Sequence, residues 1–324
     1  MNIVLLEPLG VSAETLERLQ TPLTAAGHRF TAYDTVAADD AALAERARDA
    51  DILMLANHPL PGAVIEQCAK LQYISVAFVG IDHIDSAACK AKGVHISNAA
   101  GYCNDAVAEL ALGLALDCLR NISATNACIR QGGTKAGYVG NELRGKTVGI
   151  IGTGATGCRV AELYRAFGCR LLGYSRTERP QAQALGVEYV PLERLLQESD
   201  IVTIHTPLTD RTRLLISRER IAMMKPTAIF INTARGALAD SQALADALER
   251  GALGAVGSGV FESEPPLEPS HPLLHAPRTV LTPHAAFATA ESMDRRAEIT
   301  FDNVAQWLRG KLPNQLVCSD ARVR

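Results

Sequence analysis

The sequence lacks several features that would assign it to other classes of protein. Its 32 Lys and Arg residues are offset by 35 Asp and Glu residues, for a net charge of −3, whereas a nucleic-acid-binding chain usually shows a strong basic excess. We therefore expect no nucleic-acid partner. The eight cysteines contain no C-x-x-C pair and no zinc-ligand spacing. They predict small buried side chains in a reducing compartment, with no metal site and no disulfide framework.

Segments that direct a chain to a membrane are also missing. The N-terminus leads straight into an apolar strand, without the basic start and small-residue cleavage site of a signal peptide. The longest helix-like apolar stretch, residues 106–119, contains Glu109 and Asp117 and is too short for a membrane span. We expect a soluble cytoplasmic protein with no membrane partner.

What the sequence does contain is an alternation of short apolar runs and helical patterns. With 324 residues, 48% hydrophobic and 21% charged, the chain has an ordinary globular composition and a length that suggests about two domains. The first series predicts strands at residues 3–6, 29–33, 52–56, 73–78 and 94–97 and helices at 13–26, 38–50, 62–69 and 86–92. Such βαβ units predict a parallel sheet flanked by helices.

A second series of the same kind follows a long helical stretch at residues 104–130. Its predicted strands are residues 147–151, 170–174, 201–205, 228–232, 255–260 and 280–282, and a final helix is predicted at 290–309. The fold class is therefore α/β, with two Rossmann-like parallel-sheet domains. We expect residues 1–99 and 287–324 to form one domain, which the final helix makes discontinuous, and residues 100–286 to form the other.

A glycine-rich turn opens the second series. The segment Gly152-Thr153-Gly154-Ala155-Thr156-Gly157 places G-x-G-x-x-G between an apolar strand and a helical pattern. The first glycine permits the tight turn, the second lets the backbone approach a pyrophosphate, and the third allows the helix to pack closely on the strand. The pattern predicts a dinucleotide site, with a plain glycine turn as the alternative.

The residues after the next strand bear on which dinucleotide is bound. An NAD site usually has an acid there that binds the ribose hydroxyls, but this chain reads Ser175-Arg176-Thr177. Without an acid, nothing repels a 2′-phosphate, and Arg176 offers a planar cation to it. NADP(H) is therefore favoured and NAD(H) remains possible. The alternative is that Arg176 and Arg179 are solvated surface charges.

Taken in order along the chain, these and other motifs resemble the D-isomer-specific 2-hydroxyacid dehydrogenases. Besides the glycine-rich turn, the resemblance is carried by Val79-Gly80-Ile81-Asp82-His83, Asn98-Ala99-Ala100-Gly101-Tyr102, His205-Thr206-Pro207, Asn232-Thr233-Ala234-Arg235-Gly236, Val260-Phe261-Glu262-Ser263-Glu264-Pro265 and Thr282-Pro283-His284. It implies an NAD(P)-dependent oxidoreductase acting on a CH–OH group, and a homodimer in which the stretch 104–130 forms an arm. It also implies that residues 1–99 and 287–324 form a flavodoxin-like substrate domain and residues 100–286 a dinucleotide-binding domain, with a cleft between them. An internal core helix is the alternative for that stretch.

The resemblance implies Arg235, Glu264 and His284 as the catalytic residues. His284 is a titratable donor suited to exchange a proton with a substrate carbonyl, and Glu264 would favour its protonated form. The fork of Arg235 suits a 2-oxo-acid carboxylate. The structural alternatives are a satisfied histidine, a solvated acidic loop and a salt bridge from Arg235 to Asp240.

Further contacts are expected around these three residues. Cofactor contacts are expected at Gly152, Thr153, Gly154, Ala155, Thr156, Gly157, Ser175, Arg176, Thr177, His205, Thr206, Pro207, Thr233, Ala234, Arg235 and His284. Substrate contacts are expected at Arg235, His284, His58 and, through their amides, Val79 and Gly80. Capping of the sheet edge is an alternative role for His58. The segment after Gly101 looks like that of glycerate and glyoxylate/hydroxypyruvate reductases, which implies a compact 2-oxo acid such as glyoxylate or hydroxypyruvate.

The sequence departs from the family pattern at one position. Where the family commonly has an Asp that helps to hold the nicotinamide carboxamide, this chain has Gly259. Three explanations are open: water or a neighbouring group replaces the carboxylate as hydrogen-bond acceptor, the enzyme has reduced activity, or the chain has evolved toward cofactor sensing. The rival functions are a nucleotide-sensing interaction protein like the corepressors of the family, and another dehydrogenase such as a formate or phosphite dehydrogenase.

Overall fold

The computed structural model describes residues 1–316. Elements of the N-terminal part are β1 (Asn2–Leu5), α1 (Ala13–Ala25), β2 (Arg29–Ala32), α2 (Asp40–Ala47), β3 (Ile52–Leu55), α3 (Gly62–Gln67), β4 (Tyr73–Val76), α4 (Ser86–Lys92) and β5 (His95–Asn98). The central part begins with α5 (Asn104–Arg120), α6 (Ile122–Arg130), β6 (Thr147–Ile151), α7 (Ala155–Ala166), β7 (Arg170–Tyr174), α8 (Pro180–Ala184), β8 (Val187–Tyr189), α9 (Leu192–Glu198) and β9 (Ile201–Ile204). It continues with α10 (Arg218–Ile221), β10 (Ile229–Asn232), a 3-10 helix (Gly236–Leu238), α11 (Ser241–Glu249), β11 (Ala255–Ser258), α12 (Pro272–His275) and β12 (Thr279–Leu281). The C-terminal elements are α13 (Ala290–Leu308) and β13 (Gln315–Leu316).

The chain divides into two compact units. The first unit contains residues 1–103 and the segment from Ala288 onward, and the second contains Asn104–Phe287. The roles of the two domains stay a prediction. The sequence assigns the substrate to residues 1–99 with 287–324 and the dinucleotide to residues 100–286.

Each unit is built on its own sheet. The first sheet has the strand order β13-β5-β4-β3-β1-β2, and the second has the order β12-β11-β10-β9-β6-β7-β8. All pairings are parallel except that of β13 with β5. The first order is flavodoxin-like, and the second contains the strand order of dinucleotide-binding folds. The predicted fold class of two parallel-sheet α/β domains is confirmed.

Side-chain caps set where several helices begin. Ser12, Asp39, Asp85, Asp240 and Thr289 each accept a hydrogen bond from the backbone N–H three residues on, at 2.8–3.2 Å. Each such cap stabilises its helix by about 1 kcal/mol.

The C-terminal helix completes the core of the first unit. Phe301 of α13 packs against Phe30 with ring centroids 5.6 Å apart, and Trp307 stacks on the fully buried Tyr73 at 5.0 Å. These large aromatic contacts bury one face of α13 on the sheet. Residues from both ends of the chain therefore form one hydrophobic core in this unit.

The predicted helical stretch at residues 104–130 consists of two helices. It is divided into α5 and α6 by Asn121, whose φ of 54° lies in the left-handed region. Asn is among the few residues that enter this region readily, so a helix pattern on both sides did not reveal the break. No residue of α6 is buried.

The cysteine prediction is corrected in part. Seven cysteines of the described chain are free, but only Cys68 and Cys89 are buried, and the other five are partly exposed. Cys318 lies outside the described residues. Within residues 1–316, no group of three His, Cys, Asp or Glu side chains is placed to hold a metal ion, and no helix is both long and apolar enough to cross a bilayer.

Candidate active site

The glycine-rich turn connects β6 to α7 at the carboxyl end of the second sheet. Gly152 has a φ of 93°, and a Cβ on it would lie 2.5 Å from the His205 carbonyl oxygen. A Cβ on Gly157 would collide with the Gly152 carbonyl. Glycine is therefore required at both positions, at Gly152 by the turn and at Gly157 by the close approach of α7.

The middle glycine has a different role in this geometry. Gly154 is the N-cap residue of the 12-residue helix α7, and a Cβ on it would meet nothing within 4 Å. The backbone therefore borders open space at a helix N-terminus, where amide N–H groups and the helix dipole favour an anion. This is the arrangement that a pyrophosphate requires.

A tyrosine missed by the sequence interpretation organises the neighbouring loop. The Tyr189 hydroxyl lies 2.6 Å from Thr153 Oγ1 in the glycine-rich turn and accepts a 2.9 Å hydrogen bond from the Arg179 amide. Gly173 of β7 lets β8 lie close beside it, since a Cβ there would lie 2.5 Å from Val187 Cγ1. Ser175 is partly exposed and Arg176 is exposed in this loop. Tyr189 lies on the three-residue strand β8, which the periodicity did not reveal.

His205 follows β9 beside the glycine-rich turn. Its Nε2 lies 2.8 Å from Thr203 Oγ1, while its buried Nδ1 has no hydrogen-bond partner within residues 1–316. Burial lowers the pKa of His205 to about 4, so the ring is neutral near pH 7. A neutral imidazole with an unpaired ring nitrogen is suited to form a hydrogen bond with a polar ligand. It adds no positive charge for binding an anion.

Arg235 is positioned by a side-chain clamp after β10. Asn232 Oδ1 accepts from the Ala234 amide at 3.0 Å, and Asn232 Nδ2 donates to the Arg235 carbonyl at 2.9 Å. Arg235 Nη1 donates to the Ala234 carbonyl at 2.8 Å. A Cβ on Gly236 would collide with the Phe261 backbone, so the glycine after the arginine is required by packing. Asn232 is thus a positioning residue. It was part of the sequence motif around Arg235, but the motif did not indicate this role.

His284 and Glu264 are in contact. Both carboxylate oxygens of Glu264 lie 2.8 Å from His284 Nδ1. The backbone of His284 has a φ of 52°, and its amide donates to the carbonyls of Gly259 at 2.9 Å and Thr282 at 3.0 Å. These bonds fix the direction of the ring. Because Nδ1 faces the carboxylate, Nε2 is the nitrogen available to a ligand, and it has no partner among the described residues.

The second acidic residue of the same loop has another partner. Glu262 Oε2 lies 3.1 Å from His271 Nε2, so Glu262 and Glu264 each face a different histidine. The contact between Glu264 and His284 is consistent with their predicted catalytic roles, and those roles stay a prediction.

The predicted substrate residues His58, Val79 and Gly80 belong to the first unit. The His58 amide donates to Glu7 Oε1 at 2.9 Å, and the Val79 carbonyl accepts from Asn98 Nδ2 at 2.7 Å. Both backbone segments are therefore held in place. Their contacts with a substrate stay a prediction, as does the assignment of the cofactor-binding residues.

Comparison with known proteins identifies the family. Residues 112–286 match the family described as D-isomer specific 2-hydroxyacid dehydrogenase, NAD binding domain. The chain is 40% identical over 285 residues to a glyoxylate reductase of Aeropyrum pernix, with 85% of each chain covered. It is 42% identical over 234 residues to a hydroxypyruvate reductase of Thermotoga maritima, covering 72% of this chain and 76% of the relative. A crystal structure of a Thermus thermophilus protein has 34% identity and a TM-score of 0.87, covering 98% of this chain and 100% of that one.

These similarities agree with the architecture of the second unit. The open space at Gly154 and the unpartnered polar atom of His205 fit a nicotinamide dinucleotide bound along the carboxyl end of the sheet. The chain belongs to the D-isomer-specific 2-hydroxyacid dehydrogenases, which are NAD(P)-dependent oxidoreductases acting on a CH–OH group.

Proposed function

We propose that this chain reduces a small 2-oxo acid, such as glyoxylate or hydroxypyruvate, to the 2-hydroxy acid with NADPH, in the D configuration where C2 is a stereocentre. The observation that carries the proposal is the His284–Glu264 contact. The carboxylate holds Nδ1 of the imidazole, which leaves Nε2 available at the carboxyl end of a dinucleotide-binding sheet. Relatives named glyoxylate reductase and hydroxypyruvate reductase support this class of substrate.

The proposed chemistry divides between the cofactor and three side chains. When bound, the reduced dinucleotide supplies the hydride. His284 donates a proton from Nε2 to the substrate oxygen, and Glu264 stabilises the charged imidazolium that donates it. Arg235 binds the substrate carboxylate through two of its N–H groups and polarises the adjacent carbonyl. The amides of Val79 and Gly80 and the side chain of His58 are proposed as further substrate contacts.

The preference for NADPH rests on charge. The loop after β7 offers Ser175, Arg176 and Thr177, with no acid at the position that usually binds the ribose hydroxyls. A 2′-phosphate is therefore not repelled, and the exposed guanidinium of Arg176 is a partner for it. The hydrogen bonds of Tyr189 to Thr153 and Arg179 hold the turn and the loop together.

We also propose a homodimer in the cytoplasm, formed through the segment that includes α6. Ile122, Ile129 and Val139 are 53%, 66% and 91% exposed, respectively. Several large apolar side chains exposed on one segment indicate a surface that another protein covers. Sedimentation of the wild type and of I129D tests this: a dimer that I129D weakens supports the proposal, and a monomeric wild type contradicts it.

A matrix of steady-state rates tests the proposed reaction. Purified protein is assayed with NADPH and NADH against glyoxylate, hydroxypyruvate, pyruvate and bulkier 2-oxo acids, and with NADP⁺ and NAD⁺ against formate and phosphite. We expect the highest kcat/KM for NADPH with glyoxylate or hydroxypyruvate. Binding of the dinucleotide without turnover of any substrate would favour a sensing protein, and oxidation of formate or phosphite would favour a different dehydrogenase.

A further inference from the structure

The three groups nearest to the Cβ position of Gly259 are neutral. Gly259 follows β11 at the carboxyl end of the second sheet. A Cβ placed on Gly259 would lie 3.2 Å from Thr282 Oγ1, 3.5 Å from Thr233 Cγ2 and 3.9 Å from the Asn232 carbonyl oxygen. We call the space that these groups border the Gly259 notch. None of these three nearest neighbours carries a charge, and one of them is a hydroxyl.

Two hydroxyls beside the Gly259 notch are buried without a partner. Neither Thr233 Oγ1 nor Thr282 Oγ1 has a hydrogen-bond partner in the described chain, and Thr233 is only 6% exposed. Buried hydroxyls are nearly always hydrogen-bonded, because an unpaired one loses the bonds it makes in water. Two unpaired hydroxyls at the ends of β10 and β12, the strands on either side of β11, therefore indicate a polar group that does not belong to this chain.

The Gly259 notch is directly connected to the proposed proton donor. The His284 amide donates to the carbonyls of Gly259 and Thr282, at 2.9 and 3.0 Å. In the proposed reaction, the hydride and the proton reach the two ends of one C=O bond. The nicotinamide and the His284 ring must therefore approach the same group, which brings the nicotinamide to the part of the sheet edge that contains the notch.

We propose that the Gly259 notch binds the nicotinamide carboxamide through the hydroxyls of Thr233 and Thr282, and that its lack of charge favours the reduced cofactor. This inference rests on the proposed function. The oxidised nicotinamide ring is cationic and the reduced ring is neutral, so a carboxylate at residue 259 would attract the oxidised form more strongly than the reduced form. Gly259 omits that attraction, which favours binding of NADPH and release of NADP⁺, as a 2-oxo-acid reductase requires.

Two substitutions at Gly259 separate charge from shape. G259D introduces a carboxylate, and G259N introduces a neutral group of nearly the same size. Dissociation constants for NADP⁺ and NADPH are measured by titration calorimetry at one fixed salt concentration. We expect G259D to lower the ratio of the NADP⁺ constant to the NADPH constant by about tenfold or more, and G259N to leave it unchanged. An equal ratio in the wild type and both variants would overturn the inference, as would the same shift in both variants.

Two substitutions at Thr282 test the hydroxyl that faces Gly259 across the notch. T282V keeps the shape but removes the hydroxyl, and we expect it to weaken both forms about threefold to tenfold without changing their ratio. Unchanged affinities would show that this hydroxyl does not bind the cofactor. T282D brings a carboxylate to the notch from the other side and replaces G259D if that variant does not fold. A wild type that binds neither dinucleotide would overturn the proposed function itself, whereas a wild type that binds both leaves the variants to decide this inference alone.

Discussion

The strands β1 and β6 hold equivalent places in their two sheets, and the turns that follow them are built in opposite ways. β1 lies between β2 and β3, and β6 lies between β7 and β9. After β1, the buried carboxylate of Glu7 accepts the amides of Ala56 at 2.8 Å and His58 at 2.9 Å. After β6, the glycine-rich turn leaves open space at Gly154.

The difference shows how one architecture serves two purposes. The carboxyl end of a parallel sheet presents backbone amides that attract an anion. In the first unit the chain supplies that anion itself through Glu7, and the amides of Ala56 and His58 are satisfied. In the second unit the glycine-rich turn holds no acidic side chain, so the anion must come from a ligand. The expected results below test this contrast and the chemistry that it assigns to the second unit.

The largest effect is expected at His284. H284Q removes the titratable group while keeping a polar side chain of similar size, so kcat for 2-oxo-acid reduction should fall by about 10²–10⁴-fold. Affinity for NADPH should fall far less than kcat, because His284 is only one of many expected cofactor contacts. The matched control is H271Q, because His271 also contacts a carboxylate of the same loop, that of Glu262. Equal losses in both variants would mean that the His284–Glu264 pair has no special role in the chemistry.

The next effect is expected at Arg176. R176A should weaken NADPH binding by about tenfold to a hundredfold, because a hydrogen bond to a charged phosphate contributes about 1.5–3 kcal/mol. NADH has no 2′-phosphate, so its affinity should not change. Calorimetry with both cofactors checks this, with R165A, near the other end of α7, as the control. An equal loss of affinity for NADH would show that Arg176 does not act through the 2′-phosphate, and the preference for NADP(H) would lose its support.

Two glycines of the turn should respond in opposite ways to the same added methyl group. G154A places a Cβ in open space, so thermal stability should be retained while dinucleotide binding weakens by about 1–3 kcal/mol. G157A places a Cβ against the Gly152 carbonyl and should lower the free energy of unfolding by a similar amount. Thermal unfolding with and without NADPH separates the two. If G154A binds NADPH as the wild type does, the open space is not the pyrophosphate site.

The smallest effect on the reaction is expected at Glu7. E7A leaves the amides of Ala56 and His58 without their acceptor and should lower the free energy of unfolding by about 1–3 kcal/mol, measured in urea. E7Q keeps an acceptor oxygen and should lose less. Neither variant should change NADPH affinity, since the anion that Glu7 supplies belongs to the first unit. A change in that affinity would break the contrast between the two turns.

The sequence predicted best what depends on sterics and on continuous apolar runs. The strands Thr147–Ile151 and Arg170–Tyr174 match the predicted bounds, and Gly152 and Gly157 are required by close backbone approaches. These signals are local, so a single segment contains all the information needed to find them.

The features that the sequence did not reveal depend on contacts between distant segments. Glu7 meets the Ala56 and His58 amides across about fifty residues, and nothing around Glu7 indicates which amides it will accept. Tyr189 joins two loops from a strand of only three residues, which is too short to show periodicity. The pairing of Glu264 with His284 was expected from the family resemblance. The distance between the two side chains could be known only from the folded structure.

Hydride transfer in a single turnover tests the central claim most directly. Protein in excess is mixed with NADPH and glyoxylate in a stopped-flow instrument, and the decay of nicotinamide absorbance is compared for NADPH and for NADPH carrying deuterium at the transferred position. The account predicts complete oxidation in one turnover, formation of an equal amount of glycolate, and a slower decay with deuterium. Bound NADPH that stays reduced with glyoxylate and with every other 2-oxo acid would contradict it.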